Sequence, residues 1–94
     1  MSDIEFLVYE VFPEQEGGWL VSGIVNKGAV TKGCTFVRAR ARSSEETAVH
    51  LTVSKITSYR HEFDELPKGL SGGLYLVGDG ADRLKEDDML ETEP

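Results

Sequence analysis

The stretch from Gly18 to Phe36, GWLVSGIVNKGAVTKGCTF, limits the folds open to this chain more than any other. Trp19, Leu20, Val21, Ile24 and Val25 form an apolar run rich in β-branched and aromatic residues, which suits a pleated, half-buried surface. Gly23, Gly28 and Gly33 punctuate it at five-residue intervals. Glycine is favoured where φ is positive or where another backbone comes close. Asn26-Lys27-Gly28 and Thr31-Lys32-Gly33 therefore read as turns that reverse the chain twice, giving strand, turn, short strand, turn, strand.

The flanking segments carry the same β signature. Ile4, Phe6 and Val8 alternate with Leu7, Tyr9 and Val11, so the first strand is apolar on both faces and suggests a bulge. Pro13, which has no N–H to donate, is expected to end it, and Glu14 to Gly18 to form an acidic loop. From Thr35 to Arg42, Val37, Ala39 and Ala41 alternate with Arg38, Arg40 and Arg42. Arginines two residues apart on a strand stand roughly 7 Å from one another. Val49, Leu51 and Val53 point inward in the next strand, which continues through Ile56 and Tyr59 after a register change. Phe63 to Gly69 reads as a loop anchored by Phe63 and Leu66. Leu70 to Val77 is a strand, Gly78-Asp79-Gly80 a turn, and Asp82 to Asp88 a charged loop or single helical turn. Met89-Leu90 suits a short closing strand, and 91–94 an acidic, frayed tail.

Short strands at this spacing, with no long helical period, imply an all-β sandwich or barrel. The chain has 94 residues, so one domain over 1–94 is expected, with its core at about 4–91. A chain this short buries only about two-thirds of its unfolded surface, and closing a barrel removes the edges it would otherwise have to protect.

The pattern Val11-Phe12, Gly18-x-x-Val21-Ser22-Gly23-x-Val25-x-x-Gly28-x-Val30-x-x-Gly33, then Val53-x-x-Ile56, Leu66-x-x-Gly69 or Gly72, and Leu74-x-Leu76-x-Gly78, closed by Leu84 to Leu90, spans nearly the whole chain. It resembles the β-barrel domain 2 of elongation factor Tu and other translational GTPases. The resemblance implies a closed six- to seven-stranded antiparallel barrel of Greek-key type. Cys34 stands where that family usually has aspartate, and Asp87-Asp88 where it usually has Gly-Asp. No GxxxxGK[ST] phosphate loop occurs in the chain, so no nucleotide partner is expected. Asn26-Lys27-Gly28-Ala29 ends in alanine and offers no carboxylate to a guanine edge.

Charge narrows the functional readings. The net charge is −7, which repels polyanions at long range. Five of the ten bases, Lys27, Lys32, Arg38, Arg40 and Arg42, lie between Gly17 and Ser44, and all seventeen acids lie outside that segment. The arginine stripe either binds carboxylates or phosphates through guanidinium forks, or is a solvated face paired to neighbouring acids. Trp19 reads as a binding anchor or as barrel-end packing, and Tyr59-Arg60-His61 as a base-stacking group or a strand end. Cys34, His50 and His61 share no metal-ligand spacing, and a Cys–His nucleophilic pair would need one imidazole beside the thiol. Asp79, Asp82, Glu86, Asp87 and Asp88 lack the spacing of an EF-hand loop, and Asp64 and Glu65 read as loop solvation. The expectation is a stand-alone, non-catalytic binding module with no cofactor or metal. A protein partner with an acidic surface is expected to meet the arginine stripe. The alternative is contact with transfer or ribosomal RNA through the same strand face. A single cysteine and the lack of a membrane-length apolar run suggest a cytoplasmic protein.

Overall fold

Alternation builds the strands, and a short C-terminal segment joins them into a ring. The computed structural model describes residues 3–15 and 18–93, the side chains of 13–15 apart. Its strands are β1 (Glu5–Gln15), β2 (Gly18–Lys27), β3 (Ala29–Thr31), β4 (Thr35–Arg40) and β5 (Glu46–Ser58). They continue with β6 (His61–Phe63), β7 (Glu65–Pro67), β8 (Ser71–Asp79) and β9 (Met89–Glu91). A 3₁₀ turn, Ala81–Arg83, links β8 to the segment before β9. Around the ring the neighbours run β4, β9, β1, β2, β8, β5 and back to β4, every pair antiparallel. An all-antiparallel ring requires an even number of strands, so six close it. β6 adds to β5 outside the ring, and β3 pairs with β7 in a separate ladder.

The inward positions form one core. Phe6, Val8, Val21, Phe36, Leu51, Ile56, Leu74, Leu76 and Leu90 are wholly buried, with Val25 and Val53 nearly so. Val49, Leu51 and Val53 point inward as their alternation implies, and the register against β8 shifts between Val53 and Lys55, so that Ile56 is also buried. β1 carries three register irregularities, which lets apolar residues on both of its faces find partial cover.

Several expectations are corrected. β2, β3 and β4 do not pair with one another; β2 lies between β1 and β8, and β3 leaves to join β7. The Gly28 and Gly33 bends, with φ of 72° and 95°, therefore redirect the chain between ladders instead of closing hairpins. Pro13 does not end β1, because it falls in the irregular interval between the Phe12–Leu20 and Gln15–Gly18 pairs, where the ladder asks no donor of it. Of the Glu14 to Gly18 loop, residues 16 and 17 lie outside the described residues. In β4 the inward residues are Phe36 and Ala39, since a register shift between Phe36 and Arg38 breaks strict alternation, and Ala41 lies beyond the strand. Phe63 to Gly69 is two short strands, in which Leu66 is buried and Phe63 is exposed.

The C-terminal segment is not frayed at Glu91 and Thr92, which are buried. The Ile4 N–H donates to Thr92 Oγ1 at 3.2 Å, and the Thr92 N–H donates to the Ile4 carbonyl at 3.2 Å. Val8 and residues 87–88 exchange two further backbone bonds of 2.8 Å, Val8 N–H to the Asp88 carbonyl and Asp87 N–H to the Val8 carbonyl.

Gly23 and Gly33 serve different needs. A Cβ at Gly23 would come within 3.0 Å of the Leu7 carbonyl and the Phe6 ring, whereas one at Gly33 would meet nothing within 4 Å. Gly23→Ala should cost about 3 kcal/mol through forced strand separation, and Gly33→Ala about 1 kcal/mol through its positive φ. Urea unfolding of the two variants measures the difference.

Candidate interaction surfaces

β4 and β9 bring two of the three arginines together on one acid. Arg38 Nε lies 3.0 Å from Glu91 Oε1, and Arg40 Nη1 lies 3.1 Å from Glu91 Oε2. The Glu91 side chain is only 3% exposed, so both carboxylate oxygens are satisfied from within the chain. The hydrogen bond to Glu91 raises the pKa of Arg38 above its ordinary value, desolvation opposes this, and the Glu91 and Glu46 charges add to the rise. Arg42 falls beyond the end of β4, exposed, at 3.4 Å from Asp87. Lys32 reaches Glu62 at 3.9 Å, and Lys27 ends β2 opposite Glu5. The stripe is thus a strand face tied to neighbouring acids, and β9 supplies its principal one. Trp19 is half-buried, packs against the core and stands opposite Leu76.

The other singled-out residues take structural roles. Asp88 is buried and accepts the Lys85 N–H at 2.9 Å, Asp79 meets Arg83 at 3.4 Å, and Asp87 meets Arg42. Among the described residues no three of His, Cys, Asp and Glu are grouped to hold a metal ion. Cys34 and His50 do share an open hollow of about 510 Å³, with Asp3, Thr35 and Val37. Burial raises the Cys34 pKa above the usual thiol value, and backbone hydrogen bonds offset this only in part. A thiol held neutral in this way is a poor nucleophile. His61 lies on β6 with its ring edge-on to Phe63, 6.4 Å between centroids.

The Tyr59–Arg60 turn borders an exposed apolar surface. Ser58 pairs with His61, so Tyr59 and Arg60 form a two-residue hairpin turn between β5 and β6. Both have positive φ, 51° and 68°. A turn of this kind favours Asn-Gly, and each non-glycine in the left-handed region costs about 1 kcal/mol or more. Tyr59 is 87% exposed. On one side of the turn lies a groove of about 310 Å³, lined by Ser58, Tyr59, Phe63, Glu65, Leu66, Pro67 and Leu70. A second hollow, of about 300 Å³, is lined by Thr57, Ser58, Tyr59, Arg60, Ser71, Gly72 and Gly73. Phe63 and Leu70 are 42% and 52% exposed, and Leu66 forms the groove's buried floor. The sequence signal was a Tyr-Arg pair where a tight turn prefers Asn-Gly, but it is readable only once the pairing of β5 with β6 is known.

The whole fold matches translation elongation factor SelB from Methanococcus maripaludis in its apo form, with a TM-score of 0.77 and 20% identity over 96% of this chain and 18% of that one. The chain shares its fold with one part of that elongation factor. A bacterial selenocysteine-specific elongation factor, EF-Sec, matches with a TM-score of 0.73 and 16% identity, over 97% of this chain and 15% of that one. The chain thus spans less than a fifth of either factor. No protein-family model matches the sequence, and no curated relative does. Among the described residues no helix is long and apolar enough to cross a membrane.

Cys34 should react with iodoacetamide much more slowly than a free thiol at mildly alkaline pH, and at the free rate in urea. Because burial raises its folded-state pKa, the unfolded chain loses this proton first. The thiol's contribution to stability is present at neutral pH and declines as pH rises above the ordinary thiol value, which urea midpoints of the wild type and Cys34→Ser across that range measure.

Proposed function

We propose that the chain is a non-catalytic β-barrel binding module that engages a protein partner through the Tyr59–Arg60 hairpin and its apolar groove. The observation that carries this reading is the strained turn. Two side chains are held in an unfavourable backbone region, and one of them is an aromatic left 87% exposed above an apolar groove. Strain of this kind clusters at ligand-binding sites, and exposed tyrosines are common binding anchors. The arginine stripe is less suited to the role, because Glu91 already occupies Arg38 and Arg40.

A second reading rests on the likeness to elongation factors. Arg60 and Tyr59 flank the polar hollow over Gly72 and Gly73, an arrangement in which an RNA base can stack and a phosphate can pair. The net charge of −7 weighs against it.

Replacing Tyr59-Arg60 by Asn-Gly separates structure from function. The double variant should be more stable by about 1–2 kcal/mol, because the strain is relieved, and should lose its affinity-captured partner. Retention of that partner would move the interface to another face. Binding of transfer RNA that weakens steeply with salt and vanishes on Arg60→Gly would favour the second reading.

A further inference from the structure

The two hollows that share Tyr59 differ in charge. Arg60 lines the polar hollow and not the groove, whereas Glu65 is the only charged residue lining the groove. Among the described residues Glu65 makes no ion pair, and neither Tyr59 nor Phe63 carries a cation on its ring; the described cation–π contact is Lys55 over Tyr75, at 5.3 Å. Asp64, next in the chain, is also exposed. The open Tyr59 ring, the part-exposed Phe63 ring that meets His61 edge-on, an unpaired carboxylate and an apolar lining of Leu66, Pro67 and Leu70 form a receptor for a cation with apolar neighbours. The acidic chain as a whole steers cationic partners toward it.

We infer that the groove takes a basic, apolar protein segment, a lysine or arginine side chain set between Tyr59, Phe63 and Glu65 with aliphatic residues on Leu66 and Leu70. This rests on the protein-binding reading above and adds the sign of the partner's charge, opposite to the acidic partner expected from the arginine stripe.

Titration of the isotope-labelled full chain with short leucine–lysine, leucine–glutamine and leucine–glutamate peptides, followed by NMR, tests it. The leucine–lysine peptide should shift the resonances of Tyr59, Phe63, Leu66 and Leu70, and the leucine–glutamate peptide should not. Glu65→Gln should weaken the leucine–lysine peptide roughly three- to five-fold, the range of an exposed charge pair. Asp82→Asn removes one exposed charge away from the groove and should leave binding unchanged. Equal binding of the glutamine and lysine peptides, or an equal loss in both variants, would overturn the cation inference while leaving an apolar protein-binding groove. No groove shift with any peptide would overturn both.

Discussion

A three-residue strand, Met89–Glu91, sits between β1 and β4 and joins these two strands in the ring. Three kinds of interaction hold it. Leu90 is wholly buried, which contributes about 2 kcal/mol. Backbone bonds tie residues 87, 88 and 92 to Ile4 and Val8. The Glu91 carboxylate receives Arg38 and Arg40 from β4. A carboxylate this buried is costly unless its oxygens are satisfied, and two guanidinium groups do so. Arg38 and Arg40 therefore contribute to the closure of the barrel.

Much of this architecture could be read from period and punctuation. Period-two alternation located β1 and β5, an apolar run rich in β-branched residues located β2, and the glycines at 23, 28 and 33 marked one close backbone approach and two bends. Partnership could not be read. Two bends within a few residues suggest a meander, yet β3 pairs with β7, far along the chain. Alternation through Val37 and Ala41 missed the irregularity after Phe36, because a bulge depends on the partner strand as much as on the strand itself. Glu91 looked like tail because an acid near a terminus is ordinarily solvated, and only the placement of β4 beside β9 supplies its counter-charges.

The candidate site was legible in smaller part. The arginines drew notice by composition, but their partners lie 50 or so residues away in sequence, beyond the reach of local pattern; the Arg38–Glu91 hydrogen bond spans 53 positions. The Tyr59 turn drew little notice because a tyrosine and an arginine at a strand end are ordinary until both prove left-handed. The two surfaces show opposite uses of energy. In the first, charge is neutralised to close the fold. In the second, a turn with two left-handed residues leaves an aromatic in solvent.

Amide hydrogen exchange across Met89 to Glu91 tests the closure most directly. With the ring shut as described, these amides should open only with the global unfolding that exposes β2 and β8. Rapid exchange there, with β1 and β4 still protected, would mean an open sheet carrying a loose C-terminal segment, and would contradict the account.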